Sequence, residues 1–206
     1  MIRKFVTGDE RALYRLWETE GPRFGYAALT ESKFRKIFLE HPDFSAEFTF
    51  VVEDDGHICG FVNGCAGAPD TETGYISCLL LESQVDTVDN TTQLVCALED
   101  EFRKAGKKYC AVSFFNPIRL PWVIPGTPGH QHNNLPGVPV DVPLYHRLLT
   151  FGYEETVGNA AFIAIWLTIR RRNGWRIKQP KWPSGAIRLR CMTDAAIKGW
   201  TKWFIV

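Results

Sequence analysis

The stretch Tyr75-Ile76-Ser77-Cys78-Leu79-Leu80-Leu81 becomes continuously apolar along its length. A strand wetted on one face alternates apolar and polar residues, whereas an unbroken apolar run implies burial on both faces. Both sides of such a strand must be covered, so helices are expected above and below one sheet. The run is taken as a strand over 74–81. Its neighbours supply more of the sheet. Phe48 to Val52 and Ile58 to Ala66 read as strands joined by a tight Asp55-Gly56 turn. Ile2 to Val6 reads as a short first strand and Tyr109 to Phe115 as another buried one.

Helices fall between these strands. Thr7-Gly8-Asp9-Glu10 has the spacing of a capping box, and Leu13, Leu16 and Trp17 follow at i, i+3 and i+4. Gly21 to Tyr26 breaks that helix. Thr30 caps a second one, with Phe34, Ile37 and Phe38 on its apolar face, and His41-Pro42 ends it. A third starts near Thr91 or Thr92, buries Leu94, Leu98, Phe102 and Ala105, and closes at Gly106. Leu144 to Phe151 forms a short helix stopped by Gly152. Tyr153 to Val157 and Ala160 to Leu167 read as a closing hairpin around Gly158-Asn159. Between the last strand and the last helix, Asn116 to Pro143 holds seven of the twelve prolines. A rigid, apolar segment of that length inside a domain points to a pocket wall rather than to disorder.

With 45% apolar residues and a net charge of +1, the 206-residue chain is not a disordered one. No apolar run reaches the roughly 18 residues of a membrane span. No signal-peptide pattern follows Met1, so a cytoplasmic protein is expected. No C-x-x-C pair occurs among the six cysteines, and Cys59, Cys65, Cys78, Cys96 and Cys110 are expected as buried free thiols.

The near-neutral charge is a sum of unlike parts. Residues 1–169 carry a net −8, and residues 170–206 a net +9 with a single acid, Asp194, and four of the seven tryptophans. A boundary is therefore expected near 169. The basic tail reads as a nucleic-acid arm, as the truncated start of a second module, or as a segment translated out of its ancestral frame. The acidic domain and the absence of a nucleic-acid-binding motif weigh against the first.

The order strand, helix, helix, three antiparallel strands, helix, strand, helix, two strands resembles the GNAT superfamily of acyl-CoA N-acyltransferases over residues 2 to about 168. Phe114-Phe115-Asn116-Pro117, Leu120-Pro121-Trp122, Ile124-Pro125-Gly126 and His130-Gln131-His132-Asn133-Asn134 resemble a bacterial branch of it. The resemblance implies an α/β fold with a mixed, mostly antiparallel central sheet and helices on both faces. It also implies a V-shaped splay between strands 74–81 and 109–115. Acetyl-CoA as co-substrate would lie in the gap, its pantetheine against the backbone of Leu79, Leu80 and Leu81, with an amide near Leu80 polarising the thioester. Asn116 would bind the pantetheine arm or, alternatively, make an Asx-turn before Pro117.

The family's glycine-rich turn before the third helix is replaced by Gln84-Val85-Asp86-Thr87-Val88-Asp89-Asn90-Thr91-Thr92. There Thr91 and Thr92 are the candidate phosphate contacts, and Asp86 and Asp89 place negative charge where phosphates should sit. Tyr145 is the candidate acid for the leaving thiolate, from one turn before Leu148, which holds the family's usual place. Glu82 is the candidate base. Phe24, Tyr26, Trp122, His130 and His132 would line the acceptor side. His130 and His132 lack further metal ligands nearby, so no metal is expected.

Two functions are carried forward. One is an N-acetyltransferase acting on a small molecule or other amine, with a homodimer among its expected states. The other is a non-catalytic GNAT-fold binding or regulatory module.

Overall fold

Five strands build one sheet in the order they follow in the chain: β1 (Ile2–Lys4), β2 (Thr49–Asp54), β3 (His57–Cys65), β4 (Thr73–Leu81) and β5 (Tyr109–Ala111). The first four are antiparallel neighbours, and β5 lies parallel to β4. The computed structural model describes residues 1–68, 71–113, 115–123 and 131–155, and the backbone of 157–161 and 201–205. Every residue of β4 from Ile76 to Leu81 is buried, as its unbroken apolar run requires.

Side chains alternate across the sheet, so odd and even positions of β3 meet different helices. Phe61 faces Phe38 at a ring distance of 6.1 Å, on the side covered by α1 (Glu10–Glu20) and α2 (Glu31–Phe34), which a π-turn extends over Arg35–Leu39. Gly64 faces Phe102 and Leu98 of α3 (Val88–Lys104) on the other side. Among the described residues no helix is long and apolar enough to cross a membrane.

The helix starts depart from the sequence reading in two places. Thr7 does not cap α1. Gly8 stands at φ +113°, outside the helical region, so the helix begins only at Glu10. Glu10 reaches back to the Gly8 amide at 2.8 Å, and Asp9 accepts from Val6 N–H and the Arg3 guanidinium. The third helix begins one turn early, because Thr87 supplies the cap by accepting from Asn90 N–H at 3.2 Å. Thr30 caps α2 as expected, accepting from Lys33 N–H. Two cysteines also depart: Cys110 of β5 is half-buried, and Cys96 is exposed, two residues past Leu94 and so off the buried stripe of α3.

A second sheet orders β6 (Val138–Pro139), β8 (Thr201–Ile205) and β7 (Val157–Ala161), with β8 in the middle and antiparallel to both. The expected hairpin around Gly158-Asn159 does not form. Those residues sit inside β7, opposite Phe204 and Trp203, because a strand from the end of the chain pairs with them. The proposed boundary at 169 and the Arg170-Arg171-Arg172 run lie outside the described residues. The helix α4 (Pro143–Thr150) lies between β6 and β7 in the chain.

Candidate active site

β4 and β5 share three register pairs, Thr73–Tyr109, Gly74–Cys110 and Tyr75–Ala111. Past Ala111 the second strand ends, earlier than the expected Phe115, while β4 runs on for six residues to Leu81. The two chain segments separate from that point. The gap is a narrow apolar cleft with a cavity volume of about 20 Å³, lined by Ile76 to Leu79 of β4 and by Val112. Phe24 and Tyr26, Leu144 and Leu148 of α4, and Leu135, Gly137, Val138 and Pro139 complete its lining.

The free edge of β4 offers backbone groups to this cleft. Glu82 N–H donates to Cys59 O at 2.8 Å, which makes Cys59 and Glu82 a hydrogen-bonded pair. Such pairs alternate with non-bonded ones along an antiparallel ladder. With Leu81 opposite Gly60 and Leu79 opposite Val62, the amides of Leu79 and Leu81 point away from β3 and toward the gap. The Leu80 amide, expected near the thioester, points into the β3 ladder instead. The strand's two-residue period decides this.

Polar side chains in the cleft are few and neutral. Tyr26, 6% exposed, donates its hydroxyl to Ser77 O at 3.4 Å. Burial, and next the neighbouring Cys78, pushes the Tyr26 phenol well above its usual range. Burial pushes the Cys78 thiol up to about 12, against a weaker opposing effect of Tyr26. Cys78 is therefore a thiol at neutral pH and not a nucleophile.

Asn116 bolts the cleft near its apex. Its Nδ2 donates to Ile76 O at 3.0 Å, one residue beyond the last ladder pair. Its Oδ1 accepts from Ile118 N–H at 2.9 Å, closing an Asx-turn, and lies 3.4 Å from the Ser77 hydroxyl. Both ends of the side chain are engaged inside the protein, so the turn-making alternative describes this residue. Replacing Asn116 by Ala strands the buried Ile76 carbonyl and Ile118 amide. A loss of about 2 kcal/mol is expected, read by urea unfolding; a loss below about 0.5 kcal/mol would remove the bolt from the account.

Glu82 is buried away from the lining residues, on the α1 side. Its Oε1 accepts from Arg15 at 2.7 Å and from His57 Nε2 at 2.9 Å, and its Oε2 from Gln84 at 2.5 Å. Burial works to raise its pKa, but the His57 and Arg15 contacts outweigh it and the net shift is downward. A carboxylate held this way is a weak base. Its ionised form is favoured in the fold, so its stabilisation is complete above the usual carboxylate range and is lost as pH falls through the lowered folded value. Glu82→Gln should then reduce stability at pH 7 and flatten the decline below about pH 4.3, measured by melting temperature across pH. An unchanged acid limb would contradict this.

The remaining candidates separate into groups. Phe24, Tyr26 and Leu79 line the cleft. Trp122 pairs by backbone with Tyr26 and with His132, and stacks on the His132 ring at 5.3 Å, which fixes the proline-rich segment beside the Tyr26 end. His130 lies outside the described residues. Tyr145 is 8% exposed, packs edge-on to His146 and is not among the lining residues, where Leu144 and Leu148 stand instead. Thr91 and Thr92 lie past the first turn of α3, and their hydroxyls donate back to the carbonyls of Thr87 and Val88. Neither is at the helix end that a phosphate would meet.

Residues absent from the sequence reading also emerge. Ser77 is the one serine within the apolar strand run, a signal that was available. Arg23 and Arg147 converge on Asp86 before α3, a contact no local pattern announces. Asp86, expected as uncompensated negative charge, is thus neutralised by two guanidiniums. Among the described residues no group of three His, Cys, Asp or Glu is placed to hold a metal.

Solved structures share this architecture. Ard1 from Thermoplasma volcanium matches 77% of this chain over 84% of its own, at 15% identity and a TM-score of 0.51. An aminoglycoside 6'-acetyltransferase type Ii matches 77% of this chain over 86% of its own, also at 15% identity and 0.51. The chain has the GNAT fold. In that fold the splay between β4 and β5 is the feature observed here. A shorter match, 54% of this chain at 19% identity and a TM-score of 0.41, is to N-acetylglutamate synthase from Neisseria gonorrhoeae, of whose length the chain spans 24%. No protein-family model and no curated protein sequence matches the chain.

Proposed function

We propose that the chain is an N-acetyltransferase that takes its acetyl group from acetyl-CoA and delivers it to the amine of a small molecule. The observation that carries this reading is the part of the β4 edge beyond Ser77 that no described strand pairs, whose Leu79 amide faces an apolar cleft. The extended pantetheine arm suits such an edge, since its amides can extend a β-ladder while its methylenes contact Ile76, Val112 and Leu148. Acetyl-CoA supplies the activated acyl group. A fixed amide donor at the thioester carbonyl stabilises the charge that develops when an amine attacks. The amine enters from the Phe24 and Tyr26 end, where two aromatic rings and one hydroxyl exclude bulk water. The diphosphate end fits less well, because the Asp86 carboxylate fills the loop before α3.

A second reading, a GNAT-fold binding module without catalysis, has its own support. Leu148 offers no proton where the family places an acid, and Glu82 is saturated by Arg15 and His57. Calorimetric titration of the full chain with acetyl-CoA separates the two. Micromolar binding with thiol release in the presence of amines supports the enzyme. Binding without thiol release for any amine supports the module. No heat at millimolar acetyl-CoA removes both uses of that donor.

A further inference from the structure

We propose that residues 133–137 form a strap folded into the splay between β4 and β5, which must swing out before any ligand enters the cleft, so that the strap's opening limits binding. The cleft as it stands admits nothing larger than a solvent molecule. Its cavity measures about 20 Å³, and a second one beside it, reaching Asn116 and Ile118, about 10 Å³. Pockets that take organic ligands measure roughly 300–1,000 Å³, whereas ~10–15 Å³ admits one water. Leu135 and Gly137 line both cavities, together with Ile76, Ser77 and Val112. The strap therefore fills the space that the separating strands leave.

The other walls are held more firmly. β4 is laddered to β3 from Leu81 opposite Gly60 to Tyr75 opposite Cys65. Tyr26 packs on the buried Trp17, and Leu148 of α4 is fully buried. The strap is fastened at its two ends. His132 exchanges two backbone hydrogen bonds with Trp122, each at 2.9 Å, and Val138 and Pro139 pair with β8. Between these anchors no residue belongs to a helix or a strand. Gly137 stands at φ +152°, a conformation open to glycine and rarely to other residues, and it is the hinge. Leu135 packs on the core but is only half-buried. Lifting one half-wet side chain costs less than moving a buried strand or helix.

The cleft carries its own reporter of opening. Cys78 is buried and lines the cleft. Cys59 is also buried but is not among the lining residues, and its thiol donates to Val52 O of β2. Swinging the strap out uncovers Cys78 and leaves Cys59 covered until the whole sheet unfolds. The probe is methyl methanethiosulfonate on the full chain, with each labelled cysteine identified by peptide mass. Cys78 should label at least about tenfold faster than Cys59. Low urea should speed Cys59 steeply and Cys78 little, since lifting the strap exposes little surface. Leu135→Ala, which removes the plug, and Gly137→Ala, which disfavours the closed hinge, should each speed Cys78 about fivefold or more. One rate and one urea dependence for both cysteines overturns the proposal. So does an unchanged Cys78 rate in either variant once folded. If neither variant folds, the natural chain's two cysteines decide.

That acetyl-CoA is what enters rests on the proposed function. In that case each variant should bind it more tightly by the factor by which Cys78 labelling rises, because a ligand that takes only the open form has its affinity scaled by the open fraction. The two readings fail separately. Fast Cys78 labelling that millimolar acetyl-CoA does not slow counts against that donor and keeps the strap. Tight acetyl-CoA binding with Cys78 and Cys59 labelled alike overturns the strap and keeps the donor.

Discussion

Trp17→Ala is expected to be among the most destabilising single changes in the chain, at about 3–5 kcal/mol. Trp17 is 1% exposed and packs from α1 against Phe34 of α2 and Tyr26 of the cleft. Its ring lies 4.6 Å from Tyr26 and 5.4 Å from Phe34, and its indole N–H donates to Ala27 O at 3.1 Å. Removing it opens a cavity the size of an indole and leaves a buried carbonyl unpaired, so the transfer and cavity losses add. The effect also reaches the site, because Tyr26 loses the surface that holds its ring over the β4 edge. Urea unfolding should show the lower midpoint. At temperatures where the variant is still folded, ligand affinity in the cleft should fall as well. A loss under about 1 kcal/mol would mean that Tyr26 and Phe34 close over the space by themselves.

Gly74→Val should have the second largest effect, by overfilling rather than emptying. A Cβ on Gly74 would stand 2.6 Å from Phe102 Cγ, with two more ring atoms at 2.7 Å. Phe102 is 2% exposed and anchors α3 on the sheet, so its ring has no solvent to retreat into. The valine adds strand propensity, but the steric cost of about 1–3 kcal/mol or more outweighs it. Displacing α3 also moves the loop at its start and loosens the Asp86 contacts. Gly74→Ala should show a smaller loss in the same direction, and Gly74→Val combined with Phe102→Leu should recover part of it. If Gly74→Val melts with the natural chain, the close packing of α3 on β4 is wrong.

Much of the sheet was legible because its signals are local. The unbroken apolar run of β4, the Asp55-Gly56 turn and the Phe34 and Phe38 spacing each follow from neighbours in sequence, and each element formed within a residue or two. Helix starts were less legible. Thr87 and Thr91 are both acceptable caps, and their order of preference depends on how the preceding loop leaves β4. Phe24 and Tyr26, expected on the acceptor side from the family resemblance, line the cleft. Glu82 was singled out as a base and Asn116 as a pantetheine contact or an Asx-turn, and their partners Arg15, His57 and Ile76 are 67, 25 and 40 residues away. No window along the chain contains both members of such a pair.

The sequence by itself determined that a strand buried on both faces runs through the centre of a mixed sheet with helices on either side. Burial of six consecutive strand residues, Ile76 to Leu81, requires cover on both faces of the sheet. Only the tertiary structure decided what the polar residues around that strand do. Asp86 reads as repulsive charge until Arg23 and Arg147 meet it, and Asn116 reads equally as a ligand contact or an Asx-turn until Ile76 and Ile118 engage both its ends. The strand at 201–205 reads as part of an appendage until it pairs between β6 and β7. Apolar burial is fixed by how often a residue type recurs along the chain, whereas a charge or an amide takes its meaning from whichever partner the fold delivers within 3 Å.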